Sequence, residues 1–368
     1  MTAKQRHLGT FLRQPVDRLA WAANMDHWFN VSRANETIPD KYEGWKLHDI
    51  QRDLGSGIWQ RVSAVQEASC SVKIFTVRSD EGEERFFETS VGTVSEKYTV
   101  AHDLAATRFR TEWMIKRPED FRVVQYMVES MEYVANTEGF EEMEREVGED
   151  GIVLAVCPSE PIMSVVHCFG LVQFSYALQD CPSEVDALFQ AHGRKAVEAA
   201  RAAAQTPSLV VNTGGNIEAQ NISPSLYKRY ALPVFQELGE VLHAAGKLQQ
   251  YHFDGFIKPL IPLISQSQID LIEGFTPLPV GDTTLEELFS ALDPSVVVQG
   301  GIPSTLLCHG TDDDEFEAFV LNVIRIGLET RRLVLGLGDN TPPDANLDRL
   351  RTVSRLVEEH GWLQDPPR

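Results

Sequence analysis

From residue 151 onward, short β-branched runs alternate with longer helical patterns, and this alternation constrains the fold more than any other feature of the chain. It is the signature of a parallel sheet, because parallel strands need a crossover long enough to return to the same edge. The runs predict strands at Gly151–Val156, Leu209–Val211, Leu248–His252, Ile269–Glu273, Val296–Gln299 and Leu333–Leu337. Helices are expected between them at Val185–Ala204, Pro224–Ala245 and Asp314–Glu329. Ser223-Pro224 starts the second of these, with the serine as cap and the proline in the first helical position. Each strand ends in residues foreign to a core: Pro158-Ser159-Glu160, Asn212 to Asn216, His252-Phe253-Asp254, Glu273 to Pro277, Gly300 to Pro303 and Gly338-Asp339-Asn340. Polar and glycine-rich residues repeated after strands mark the catalytic face of a (β/α)8 TIM barrel. A doubly wound sheet would carry a GxGxxG turn after its first strand. The sequence has none, and Gly336-Leu337-Gly338 runs into Asp-Asn-Thr-Pro-Pro, which cannot open such a helix.

The first part reads differently. Ser71 to Val100 alternates apolar with polar residues and turns at Asp80-Glu81-Gly82 and Val91-Gly92, which predicts an antiparallel hairpin or meander. With helices at Gln14–Val31 and Glu119–Ala135, it makes residues 1–145 an α+β appendage covering the barrel mouth, and 146–368 the main barrel. Tyr98, Trp113, Phe86 and Phe87 then either roof the mouth over an aromatic substrate or form the appendage's own core.

At 368 residues and 43% hydrophobic content, the chain can bury one large core with an elaboration, or two domains. A net charge of −21 argues against nucleic acid, which needs a concentrated basic surface. The runs Glu138–Asp150 and Asp312–Glu317 read as solvated helix faces. No apolar run reaches the roughly 18 to 20 residues of a membrane helix, and the first residues lack a signal-peptide core, so a cytoplasmic location is expected. Cys70, Cys157, Cys168, Cys181 and Cys308 form no CxxC pair and read as reduced thiols. Cys157 and Cys308 lie nearest the loop face and are weak metal-ligand candidates.

The residues with chemistry to offer sit at strand ends. In Tyr251-His252-Phe253-Asp254-Gly255 an imidazole and a carboxylate stand two apart, on one face of an extended segment. Asp339, in a turn closed by Pro342-Pro343, is a possible partner across the rim. Glu273 ends the next strand and is a further ligand or proton donor. Asn212, Asn216 and Glu218 occupy a glycine-rich loop suited to substrate contact. Asp282 either touches substrate or caps the helix starting at Leu285. His167 reads as a buried residue held in reserve, and His243 as a helix-end donor.

Several of these strings together resemble the uroporphyrinogen decarboxylase superfamily: Arg13-Gln14-Pro15-Val16-Asp17-Arg18-Leu19-Ala20-Trp21, Ser223-Pro224 with Tyr230-Ala231-Leu232-Pro233, His243 to Lys247, His252 to Gly255, and Gly338 to Pro343. The match runs over most of the chain and is strongest from about residue 205 to 361. It implies a distorted TIM barrel. True uroporphyrinogen decarboxylases carry an MRQAGR-type motif that grips substrate carboxylates and an FSDIL-type aspartate. Here the first region reads Asn24-Met25-Asp26-His27-Trp28-Phe29-Asn30 and no FSDIL-like string occurs, which counts against a polycarboxylate substrate.

The other branch of the superfamily is the methyltransferases that exchange methyl groups with a corrinoid protein, through a zinc site of the form HxC plus a GCGIPP-like turn. His252-Phe253-Asp254 aligns with the first and Gly338 to Pro343 with the second, with both cysteines replaced by aspartate. The resemblance implies a corrinoid-linked methyltransferase or demethylase acting on a small methylated substrate, an O-methyl compound. A divalent metal, zinc by family, would sit on His252, Asp254 and Asp339 as Lewis acid. Cobalamin or another corrinoid would be carried by a partner protein, and the outer helices could pair into a homodimer. Two alternatives stay open: a decarboxylase in which His252 and Asp254 handle protons without metal, and a non-catalytic corrinoid-binding barrel.

Overall fold

The computed structural model describes residues 1–363 except 64, 68–70, 80–81, 102–106, 159 and 309. Cys70, Ser159 and the Asp80-Glu81 part of the predicted turn lie outside the described residues. In chain order the strands are β1 (Ile58–Ser63), β2 (Val65–Glu67), β3 (Lys73–Ser79), β4 (Gly82–Thr89), β5 (Gly92–Ala101), β6 (Thr107–Glu112) and β7 (Tyr133–Ala135). They continue as β8 (Gly151–Val156), β9 (Val210–Gly215), β10 (Leu248–His252), β11 (Leu271–Phe275), β12 (Val297–Pro303) and β13 (Leu333–Gly338).

One parallel sheet runs β1-β8-β9-β10-β11-β12-β13. Its two edges are joined by the segment Leu19–Ala23. Trp21 bridges to Leu335 and Ala22 to Gly57, both in parallel sense. The Ala22 N–H donates to Leu335 O at 3.1 Å, Leu335 N–H to Ala20 O at 2.8 Å, and Gly57 N–H to Trp21 O at 3.0 Å. Eight positions therefore surround the axis, one of them a short bridging segment, and the result is a distorted TIM barrel.

This closure corrects two expectations. The helix expected over Gln14–Val31 is confined to Asp26–Ala34. Leu19–Ala23 has good helix formers, but propensity is worth only tenths of a kcal/mol per residue, less than burial of the whole stretch and its ladder to both edges. The division at residue 145 also falls elsewhere: Leu19–Ala23 and β1 belong to the barrel, and the excursion runs from β2 to β7, which pair with each other. Likewise the helix expected over Glu119–Ala135 ends at Glu129, and Tyr133–Ala135 is strand β7. The helix expected over Pro224–Ala245 is interrupted by a π-turn at Tyr227–Ala231. Pro233 explains it, because a proline has no N–H and crowds the carbonyl four residues back.

Within the excursion, β3-β4-β5-β6 form the predicted antiparallel meander. Phe87 and Val94 are buried in the main core together with Val123 and Val124 of the helix Pro118–Glu129, while Phe86 stacks on Phe75 at 5.0 Å.

The barrel interior changes character along its axis. Trp59, Ile152, Leu154, Val210, Leu271, Val297 and Val334 form one apolar cluster with Ala20 and Ala22. Phe11, from the helix Ala3–Phe11, joins it and meets Trp59 edge-on at 5.8 Å, so this helix plugs the N-terminal end. Two residues farther along the same strand faces, Trp59 gives way to Arg61, Val210 to Asn212, Leu271 to Glu273 and Val297 to Gln299. The apolar layer fixes the barrel, and the polar layer is left to the open C-terminal rim. No single helix among the described residues is long and apolar enough to cross a membrane.

Truncating the plug tests this division. Phe11→Ala should lower stability by about 3 kcal/mol in urea unfolding, with the rim chemistry unaffected. A loss below about 1 kcal/mol would show that the helix only leans on the barrel.

Candidate active site

At the C-terminal rim lies a cavity of about 320 Å3, lined by Arg61, Cys157, Asn212, Asn216, His252, Glu273 and Asp339 among others. Its centre is Glu273, whose side chain is 2% exposed. One carboxylate oxygen accepts a bond from His252 Nδ1 at 2.6 Å and the other accepts from Arg61 Nη2. His252 Nε2 faces Asp254 Oδ2 at 3.6 Å, an ion-pair approach without a hydrogen bond.

The protonation states follow from these contacts. Burial opposes a charge on His252, but Glu273 and Asp254 outweigh it and raise the imidazole to about 10. Burial would likewise raise Glu273, yet Arg61 and His252 hold it down at about 2. The field of Glu273 raises the Arg61 guanidinium. At neutral pH the cluster is therefore guanidinium, carboxylate and imidazolium in a row, with Asp254 beyond the ring.

Neighbouring strands make room for that ring. Gly274 has φ +82°, and a Cβ there would lie 2.3 Å from His252 Cε1. A Cβ on Gly215 would lie 2.4 Å from His252 Cβ. Glycine is thus required on both sides, and at Gly274 by backbone conformation as well. Tyr251, of opposite parity on β10, packs on Phe235 of the helix Leu232–Ala244, while its hydroxyl donates to the buried Glu160 at 2.8 Å. Asp339 adopts φ +81°, a left-handed conformation uncommon outside glycine and asparagine, and its Oδ1 accepts from Asn340 Nδ2 at 2.7 Å.

His252, Asp254 and Glu273 are brought together as expected, and Asp339, Asn212 and Asn216 reach the same rim. Asn212 also braces its loop, accepting from Gly214 N–H at 2.9 Å and donating to Gln250 at 3.2 Å. Glu218 and Asp282 serve loops instead of the cavity. Glu218 accepts from Asn221 at 2.6 Å, and Asp282 Oδ1 accepts the Ile257 and Lys258 N–H groups at 3.0 Å, pinning the turn after Asp254. None of the excursion's described residues lines the cavity. Trp113 lies against Gly170 and Tyr98 accepts from Arg110 Nη2 at 2.8 Å. His243 pairs with Asp270 at 2.8 Å.

His252, Asp254 and Asp339 do not converge as a preformed ligand set in this arrangement. Among the described residues no three His, Cys, Asp or Glu side chains cluster with metal-binding geometry. Nδ1 of His252 is committed to Glu273, which leaves Nε2 as the ring atom facing the cavity. Arg61 already supplies the cation that Glu273 would seek. Cys157 reaches the cavity wall, but burial pushes its thiol up to about 12, and Cys308 turns to Asp344 at 3.5 Å.

Two residues of the site escape sequence reading. Arg61 sits in Ile58-Trp59-Gln60-Arg61, where adjacent polar residues hide the strand; the one available signal was a charge at the parity of an inward tryptophan. Asp26 opens the helix Asp26–Ala34 immediately beyond the barrel-closing segment, and burial raises its carboxyl in spite of Arg61 nearby.

The uroporphyrinogen decarboxylase (URO-D) family profile matches residues 108–360. No curated protein matches the chain in sequence. Among solved structures, a methyltransferase from Methanosarcina mazei superposes with a TM-score of 0.61 at 12% identity, over 98% of this chain and 99% of that one. A GH113 beta-1,4-mannanase follows at TM-score 0.40 and 10% identity, over 94% and 99% of the two chains. The endo-1,4-beta-mannanase of Rhizomucor miehei is similar at 0.40 and 10%, over 93% and 95%.

Gly274→Ala should leave the barrel folded but drive the imidazole off Glu273. A crystal structure of the variant is expected to show Nδ1 beyond 3.5 Å from the carboxylate; an unchanged 2.6 Å contact would contradict the account of how the ring is held.

Proposed function

Because this chain belongs to the uroporphyrinogen decarboxylase family, we propose that it is a methyl-transferring enzyme that demethylates a small methoxy compound, with His252 as general acid and a corrinoid protein as partner. The observation that carries this reading is the imidazolium at the barrel rim, gripped through Nδ1 by Glu273 at 2.6 Å, with Nε2 left short of a hydrogen bond to Asp254. Removing a methyl group from an ether oxygen leaves an alkoxide or phenolate, which a Lewis acid or a proton must stabilise. In this chain the proton takes that part. An acid raised to about 10 is matched to a phenol, whose own value is about 10.

A reduced corrinoid supplies the electron pair that accepts the methyl group. The cavity of about 320 Å3 is of a size for a small substrate, and the acceptor corrinoid would approach from the open rim on a partner protein. His252 Nε2 delivers its proton to the departing oxygen. Arg61 and Glu273 keep the ring oriented while it is neutral, and Asp254, about a quarter exposed, connects it to solvent for reprotonation. The Methanosarcina mazei neighbour, a methyltransferase, is compatible with this reading. Decarboxylation is the second reading, favoured by the same imidazolium, which could protonate a carbanion.

Methyl transfer from methoxy compounds to added cob(I)alamin, followed by methylcobalamin absorbance, distinguishes them. His252→Asn should lower the rate about a hundredfold or more, and the wild-type rate should fall as pH rises through about 10. Undiminished transfer by the variant would refute the role of His252, and carbon dioxide released from an acid without corrinoid would establish the second reading.

A further inference from the structure

Arg61 is under-used by its own protein. Of the five N–H groups of a guanidinium, it commits one bond, from Nη2 to Glu273. Its Nε is buried without an acceptor, and among the described residues Nη1 has no hydrogen-bond partner either. A buried N–H left unpaired costs about 1–3 kcal/mol, so the guanidinium is held in place with part of its hydrogen-bonding capacity unmet. The side chain lines the same cavity as His252 and is about a third exposed toward it.

The charges of the lining agree with this. Arg61 and His252 carry positive charge there, Glu273 and Asp339 negative. Glu273 has spent both oxygens on the two cations, and Asp339 keeps one of its own on the Asn340 amide. The donors the lining leaves for a ligand are the guanidinium remainder and the imidazole Nε2–H, with Asp254 3.6 Å from that nitrogen and Asp26 and Asp339 near the guanidinium. In a chain of net charge −21, an anion is drawn only to a local cation, and Arg61 offers a planar fork that suits a carboxylate better than a lysine could.

We propose that Arg61 is a specificity-determining residue that binds a carboxylate on the substrate, making the substrate a small methoxylated carboxylic acid. This rests on the preceding reading for the methoxy group and for the shared cavity, but not for the anion. The carboxylate lies against the guanidinium on the β1 side, and the methoxy oxygen points toward His252 on β10. No bond is made or broken at Arg61.

The test is equilibrium binding by calorimetry, without corrinoid, of two isosteric pairs: 4-methoxybenzoate against 4-methoxybenzamide, and methoxyacetate against methoxyacetamide. The wild type should prefer the acid of at least one pair by about tenfold or more. Arg61→Met should abolish the preference, and Arg61→Lys, which keeps the charge and loses the fork, should retain part of it. Equal binding of acid and amide by the wild type, no binding of either pair, or a preference surviving in Arg61→Met with native circular dichroism would overturn the proposal. An acid preference without methyl transfer would sink only the preceding reading, and methyl transfer with no acid preference would sink only this one.

Discussion

A single buried carboxylate, Glu273, orders the mouth of this barrel. With 2% of its side chain exposed, it would be strongly destabilising as an unpaired charge. Two cations resolve that cost, His252 from the neighbouring strand β10 and Arg61 from β1 across the barrel. The arrangement couples the three groups: each keeps the charge it has because the others keep theirs. The ring of His252 is thereby oriented and protonated in one stroke, and its Nε2 is the atom left to act.

That cluster depends on barrel geometry. Strand parity sends Arg61, Asn212, His252 and Glu273 inward above an apolar layer built on Trp59, Val210, Leu271 and Val297. The helix Ala3–Phe11 covers the opposite end, so the apolar layer is closed off and the polar layer opens at the rim. Gly215 and Gly274 leave the space the imidazole fills. Asp282 and Asn212 act at one remove, fixing the loops that carry Asp254 and Asn216.

Much of this was legible in the sequence because the signals were local. The β-branched runs of β8 to β13 and their polar ends announce a barrel and its working face, and the spacing of His252 and Asp254 puts them on one face. What was not legible depended on long-range pairing. Leu19–Ala23 has helical propensity and becomes part of the barrel wall only because two distant edges, at Gly57 and Leu335, need closing. Arg61 could be placed opposite Glu273 only once β1 was known to belong to the sheet. Arg61, invisible to the family motifs, is the cation that pairs with Glu273.

The state of His252 is the central claim, and pH fixes its sign. Since its value is raised on folding, its contribution to stability is fully present below the unfolded value of 6.5 and is lost as pH rises through about 10. Glu273 behaves oppositely: its contribution is present above 4.5 and is lost as pH falls through about 2. The most direct measurement is an NMR pH titration of the His252 ring in protein labelled with 15N-histidine, assigned by His252→Asn. A ring that stays doubly protonated through neutral pH and titrates near 10 is the predicted result; a midpoint between 6 and 7 would contradict the account.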